Sequence, residues 1–172
     1  NGARCYIAIS GGLNVKSIFG SKSFFSNITD SYFLKKNDEI KVSKKSKNKI
    51  LKWDRFNFKL NRSIEVFKGP EFDLLSSNSK NKLFKNEFTI STNNRMAYNL
   101  VEKLQVGTKS IISSPVLPGS VQLTPSGKMI ILHRDCQTTG GYPRILQLNI
   151  SSLNYLSQLK STDKIKLRLI NL

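Results

Sequence analysis

Apolar and polar positions alternate in short runs along most of the chain, and each run stops at a turn-forming residue. Arg4-Cys5-Tyr6-Ile7-Ala8-Ile9-Ser10 alternates between Gly2 and Gly11-Gly12, the pattern of a strand entering a tight turn. Glu39 to Val42, Ser63 to Phe67 and Glu87 to Ile90 read the same way. Met129 to Leu132 is a continuous apolar run, short enough for a buried strand, and Pro125-Ser126-Gly127 before it marks a turn between two strands. Ile145 to Ile150 and Lys164 to Ile170 complete the set. In the last, Ile165, Leu167 and Leu169 share one side of the pleat while Lys164, Lys166 and Arg168 share the other. Helical signal is confined to Ser151-Ser152, a cap ahead of Leu153, Leu156 and Leu159 on one face, and to a turn or two over Glu71 to Ser76. The pattern predicts a mainly β protein with Ile7, Ile9, Ile130, Leu132, Ile165, Leu167 and Leu169 in its core.

Two stretches echo each other. Leu34 to Val42 and Leu159 to Leu167 both place a polar turn and an Asp ahead of an alternating strand, which predicts a shared turn-into-strand device. The chain has 172 residues, which at roughly 150 residues per domain argues for one domain or two small lobes. Two cysteines, Cys5 and Cys136, cannot make a disulfide framework, and His133 as the one histidine excludes sites built from several imidazoles. No apolar run is long enough for a membrane-spanning helix. The net charge is +17, from 28 basic against 11 acidic residues. Such an excess suits an anionic partner, but the lysines are scattered among Asn and Ser along most of the chain, so no specific nucleic-acid partner is expected. Lys41 to Lys52, with six lysines, reads as an exposed hairpin or loop.

Residues 115 to 143 differ from the rest, with Lys128 their one lysine. Asp135-Cys136-Gln137-Thr138-Thr139-Gly140-Gly141-Tyr142-Pro143 packs a carboxylate, an amide, two hydroxyls, two glycines and a phenol directly behind an apolar strand. Glycines let a backbone come close to a ligand that polar side chains then orient. A tight β-corner satisfying its own backbone explains the same residues equally well.

Residue blocks in order along the chain add to this reading. Gln137-Thr138-Thr139-Gly140-Gly141-Tyr142-Pro143, Pro118-Gly119-Ser120-Val121-Gln122, Asn94-Arg95-Met96-Ala97-Tyr98 and the opening Gly2 to Gly12, with Gly20-Ser21-Lys22-Ser23, resemble the biotin-dependent carboxyltransferase family. This family, also called allophanate hydrolase subunit 2, includes the C subunit of bacterial 5-oxoprolinase. The resemblance covers essentially all of residues 1–172 and implies a cyclophilin-like β-barrel with one or two short helices. It also implies a cytoplasmic complex with a B-subunit-like protein and an A-subunit-like protein, in which ATP drives the opening of 5-oxoproline to glutamate. Biotin on a partner belongs to the urea carboxylase-type alternative. Arg95, Asp135, Gln137 and Tyr142 are then the candidate catalytic residues: Arg95 to clamp a carboxylate or phosphate, Gln137 to pair with the substrate amide, Asp135 to orient it or act as base, Tyr142 to donate. Asn94, Gln122, Thr138, Thr139, Gly140 and Gly141 are the candidate substrate-binding residues. Against this, Arg95 has an alternative partner in Glu87 or Asp135, and His133 reads as packed or surface rather than catalytic.

Two departures qualify the resemblance. Family members carry roughly a hundred residues, the size of a small domain, ahead of the point matching Asn1, so this chain is expected to be a C-terminal portion, inactive alone. The Gly-rich segment expected after Gly20-Ser21-Lys22-Ser23 is replaced by Asn27-Ile28-Thr29-Asp30-Ser31-Tyr32. The alternative reading is a non-catalytic regulatory module resembling the antagonist of a sporulation-kinase inhibitor, and the third a basic nucleic-acid binder.

Overall fold

In the computed structural model, alternation becomes a closed barrel. The described residues are 3–24, 27–29, 34–43, 63–105 and 110–171. The chain divides into two units, residues 1–4 with 57–172 and residues 5–56.

The larger unit runs β1 (Ser63–Lys68), a 3-10 turn (Phe72–Leu74), α1 (Ser77–Lys85), β2 (Glu87–Asn93) and β3 (Ala97–Lys103). It continues with β4 (Ser114–Pro115), β5 (Ser120–Leu123), β6 (Lys128–Leu132), β7 (Thr139–Gly140), β8 (Arg144–Leu148), α2 (Ile150–Leu156) and β9 (Lys164–Leu169). The barrel order is β1-β8-β5-β6-β3-β2-β9, and β4 pairs separately with β7. Each barrel contact is antiparallel except β1 with β9, which is parallel and closes the ring. Alternate side chains fill the core: Ile64 and Val66, Phe88 and Ile90, Tyr98 and Leu100, Val121 and Leu123, Met129 and Ile131, Ile165 and Leu167. α1 packs against β9 and α2 against β1. The mainly β, barrel-shaped fold is as the pattern and the resemblance imply.

Some expectations fail for identifiable reasons. Residues 4–10 form no strand, and Ile7, expected in the core, is 85% exposed, with Ile9 exposed too. Alternation confers the capacity for a strand, but a strand exists only where a neighbour meets its backbone groups. Glu39 to Val42 likewise has one isolated bridge, Leu13 to Val42. In β6 the inward pair is Met129 and Ile131, so Ile130 is half-buried; Leu132 is buried, outside the main core cluster. In β9 Ile165 and Leu167 are buried as expected, and Leu169, at the strand's end, is half-buried.

The helices are legible only in part. α2 is capped earlier than expected, by Asn149, whose Oδ1 accepts from the Ser152 N–H at 2.8 Å. The Ser152 hydroxyl instead accepts from the Glu65 N–H at 2.7 Å, tying the helix to β1. α1 carries no apolar periodicity: Leu83 and Phe84 are its only apolar residues, and Ser76 caps it. The lysine tract beyond Ser43 lies outside the described residues.

One polar device fastens the barrel's flank. Glu71 and Arg144 are mostly buried and form a two-pronged pair, Nε to Oε2 at 2.9 Å and Nη2 to Oε1 at 2.7 Å. Glu71 Oε2 also accepts from the Arg144 backbone N–H at 2.8 Å, and Arg144 Nη1 donates to the Pro115 carbonyl at 2.7 Å. Gly69 makes room for it, because a Cβ there would fall onto the Arg144 carbonyl. Hydrogen bonds from Arg144 hold the Glu71 carboxyl below its ordinary value of 4.5. A lowered carboxylate pKa stabilises the fold above its unfolded value and ceases to do so as pH falls through the folded one. Glu71→Gln is therefore expected to lower stability by about 2–3 kcal/mol at pH 7. It should also flatten the loss of stability of the parent below pH 4.5, both read by denaturant titration across pH.

Candidate functional site

The Asp135–Pro143 segment is held from three sides. At its start, the His133 N–H donates to the Met96 carbonyl at 2.8 Å, the Asp135 N–H to the Arg95 carbonyl at 3.0 Å and the Cys136 N–H to the His133 carbonyl at 3.1 Å. In its middle, β7 pairs with β4, and this ladder extends through Val116 N–H to the Thr138 carbonyl and Ile111 N–H to the Gly141 carbonyl, both at 2.9 Å. Beneath it lies Gln122, only 1% exposed although it is a polar residue. Its Nε2 donates to the Tyr142 carbonyl at 3.3 Å, and its Oε1 accepts from Gln137 Nε2 at 3.4 Å.

Gln122 explains one of the paired glycines. A Cβ on Gly140 would lie 2.6 Å from Gln122 Nε2, so the backbone passes directly over the buried amide. The Pro118-Gly119-Ser120 block turns out to fasten structure. Gly119 has φ +92°, and the Ser120 hydroxyl donates to Gln147 Oε1 at 2.8 Å while Gln147 Nε2 donates to the Pro118 carbonyl at 2.9 Å.

The second group sits at the β2–β3 hairpin. Asn94 Oδ1 accepts from the N–H groups of Met96 and Ala97 at 2.8 and 2.9 Å, shaping the turn that presents Arg95. Arg95 Nε lies 2.6 Å from Asp135 Oδ2, with the side chains 69% and 43% exposed. Of the two partners considered for Arg95, it takes Asp135. The structure thus brings Asn94, Arg95 and Asp135 together at one point, and Gln122, Gln137, Gly140 and Tyr142 at another, joined by the short run Asp135–Gln137. Thr138, Thr139 and Tyr142 are exposed, and Gly141 approaches the Ile111 carbonyl.

Between these groups and the barrel core lies a cluster the sequence does not signal. Tyr98 is fully buried, and its hydroxyl meets Arg4 Nη1 at 2.5 Å. Arg4 also donates to the carbonyls of Ser157 and Asn94, at 2.6 and 3.3 Å. Nothing local in Arg4 marks it for this, since its partners lie far along the chain. His133 packs at a tilt against Tyr98, with ring centroids 5.4 Å apart and 47° between the ring planes; it is buried and has no hydrogen-bond partner at either ring nitrogen among the described residues. Burial first, then Arg4 and Arg134, push its pKa below the ordinary 6.5; the Leu153 backbone and Asp135 act in the opposite sense. It is a packed residue, as its place behind β6 suggests. Burial likewise raises the Cys136 pKa, which disfavours the thiolate a nucleophile needs.

The model of the carboxyltransferase domain, subdomain A and B, matches residues 1–169. The chain belongs to that carboxyltransferase-domain family. It is 28% identical over 166 residues to the C subunit of 5-oxoprolinase from Escherichia coli (strain K12), covering 92% of this chain and 54% of the relative. It is 33% identical over 112 residues to the corresponding 5-oxoprolinase C subunit of Haemophilus influenzae, covering 63% and 36%. The chain thus spans about half the length, or less, of these curated relatives. Among solved structures, the Kluyveromyces lactis urea carboxylase superposes with a TM-score of 0.59 at 18% identity, over 63% of this chain and 11% of that one. The K. lactis urea amidolyase gives the same TM-score at 19% identity, over 63% and 7%. These two likenesses concern the fold. Among the described residues, no helix is long and apolar enough to cross a membrane.

Two outcomes follow. Gly140→Ala is expected to cost about 1–3 kcal/mol by displacing the buried Gln122 amide. Part of that loss should return when Gly140→Ala is combined with Gln122→Ala, giving a coupled double-mutant cycle in denaturant melts. Because the fold lowers the His133 pKa, stability is full above 6.5 and is lost as pH falls below it towards the folded value. His133→Phe should therefore flatten the stability profile between about pH 7 and pH 5 relative to the parent.

Proposed function

We propose that this chain is the C-terminal portion of a C-subunit-like component of a 5-oxoprolinase-type complex, which opens 5-oxoproline to glutamate with ATP and its partner subunits. The observation that supports it is the likeness to the 5-oxoprolinase C subunit over nearly the whole chain. The rigid, glycine-paired loop beside an exposed arginine is the part of the surface that suits such chemistry.

In this reading the lactam oxygen attacks the terminal phosphorus of ATP and ADP leaves. Water adds to the activated carbon, the ring C–N bond breaks, and phosphate is released. Gln137 pairs with the lactam amide, and its own tie to Gln122 fixes its direction. Arg95, steadied by Asp135 yet largely open to solvent, holds the substrate carboxylate or the transferred phosphoryl oxygens. The Thr138 and Thr139 hydroxyls and the Tyr142 phenol border the same loop and offer donors to the developing oxyanions. The remaining length of the same polypeptide, a B-subunit-like protein and an A-subunit-like protein complete the site. A biotin-bearing partner belongs only to the urea carboxylase-type variant.

The test is 5-oxoproline-dependent ATP hydrolysis in the reconstituted complex. The chain alone should show none. In the complex, Arg95→Ala and Gln137→Ala should each lower turnover by about tenfold to a thousandfold, the scale of one lost transition-state donor. Because the Arg95–Asp135 pair is exposed, Arg95→Ala should alter stability by less than about 1 kcal/mol. Turnover within twofold of the parent for both variants would move the site elsewhere. A complete complex with no turnover on any cyclic amide would favour the non-catalytic regulatory reading.

A further inference from the structure

Within the larger unit, residues 3 and 4 form a short strap along the end of α2. The Ala3 N–H donates to the Gln158 carbonyl at 3.0 Å, and the Arg4 N–H to Gln158 Oε1 at 3.2 Å. The Arg4 guanidinium then joins three elements: β3 through the Tyr98 hydroxyl, the segment after α2 through the Ser157 carbonyl, and the β2–β3 hairpin through the Asn94 carbonyl. Asn94 is the residue whose side chain shapes the turn presenting Arg95. Arg4 is therefore a latch across that hairpin.

His133 stands behind the latch and shares its supports. Its ring packs against the Tyr98 ring, whose centre lies 5.7 Å from the Arg4 guanidinium carbon. Its backbone N–H bonds to the Met96 carbonyl of the same hairpin. Two positive charges act on the ring, Arg4 from the strap and Arg134 from its own segment, and Arg134 is tied to α2 by a 3.1 Å bond from Nη2 to Asn154 Oδ1. Asp135 acts the other way, with its carboxylate engaged by Arg95, as does the Leu153 backbone of α2. α2 itself, Ile150–Leu156, has no charged residue in its sequence. Cys136, whose N–H bonds to the His133 carbonyl, is a neutral thiol, its pKa raised by burial.

A proton on His133 would thus set a third positive charge, in a buried place, beside two guanidiniums, and burying a charge is costly. Something must move to let water reach it. Arg134 is continuous with the segment that carries the ring, and that segment is laddered to the hairpin and to β4. Arg4 rides on the strap, and its guanidinium holds uncharged acceptors that water can replace.

We propose that His133 and Arg4 form a pH-operated latch: when the His133 ring takes up a proton, Arg4 leaves Tyr98 and Asn94, the strap lifts from α2, and the hairpin that presents Arg95 is freed. The bearing of the latch on turnover rests on the reading of Arg95 as a site residue; the latch itself does not. With the latch shut, burial holds the His133 pKa below 6.5, and with it open the ring returns towards that ordinary value. The open form therefore takes up the proton more readily. As pH falls below 6.5 its share rises by up to about tenfold per pH unit, until the shut form is protonated as well.

The test is NMR on the full chain. His133 is its one histidine, so the ring Cε1–H resonance titrates alone. Amide protection reads the latch at Ala3 and Arg4, and the barrel at Ile90, whose N–H bonds to the Asp163 carbonyl. Going from about pH 7.5 to about pH 5 should lower protection at Ala3 and Arg4 about tenfold and leave Ile90 within about twofold. His133→Phe, which keeps a ring against Tyr98, should abolish that pH dependence. Tyr98→Phe keeps the Arg4 charge and removes the hydroxyl it meets, so it should loosen the strap and move the His133 titration up towards 6.5. If Tyr98→Phe does not fold, Arg4→Lys makes the same comparison, charge without the fork. A parent His133 titrating at or above 6.5 would overturn the proposal. So would strap protection that ignores pH, that falls together with Ile90, or that falls equally in His133→Phe. A strap that opens as expected, in a complex whose turnover is indifferent to Arg95→Ala, would overturn the functional reading of Arg95 and leave the latch standing.

Discussion

The carboxylate of Glu71 is the group on which the candidate site depends. It binds both the guanidinium and the backbone N–H of Arg144, the residue that ends the glycine-paired loop. The same guanidinium reaches the carbonyl of Pro115, on the short strand that pairs with the loop's middle. One ion pair therefore fixes the loop's exit and its supporting strand relative to β8. Such a pair gains little by attraction alone, because burying both charges is costly; its worth lies in making other placements of the loop worse.

The loop's rigidity has a second source in Gln122. A buried carboxamide has few places to send its hydrogen bonds, and here they go to the Tyr142 carbonyl and the Gln137 side chain. Glycine at position 140 is the counterpart of that burial, not a sign of mobility. The Gln137 side chain is thereby tied from beneath to the buried Gln122. At the hairpin, the Arg95–Asp135 pair is of the opposite character, open to water and adjustable.

The barrel is legible wherever alternation coincides with neighbours: β1, β2, β6, β8 and β9 all lie where the apolar pattern puts them. It is illegible where the deciding influence is tertiary. The Arg4–Ser10 run has a strand's pattern but no flanking ladder, and Ile130 and Met129 cannot be told apart by periodicity within a continuous apolar run. α1 escapes because a helix of Ser, Asn and Lys is held by its cap and by two apolar residues against β9, not by its own propensity. For the site, the loop between Asp135 and Pro143 is visible as a composition shift and by resemblance. Arg4, Tyr98 and His133 are not visible as a cluster, because the contacts that make them one join residues far apart in the chain. Tyr98 buries a hydroxyl that Arg4 reaches from the opening residues.

The parallel seam between β1 and β9 carries a consequence for how the protein comes into being. Glu65 and Arg168 meet across it from positions 103 residues apart. Strands from the two ends of the larger unit must find each other before the ring can shut, and loop closure of that span is costly in entropy until then. During synthesis, β1 leaves the ribosome with both edges bare, and the edge that meets β9 stays so until that strand emerges. A polypeptide stopped short of Lys164 would present two open sheet edges, a template for pairing with other chains. The fold is thus secured at its final strand, and its vulnerability in the cell is one of timing.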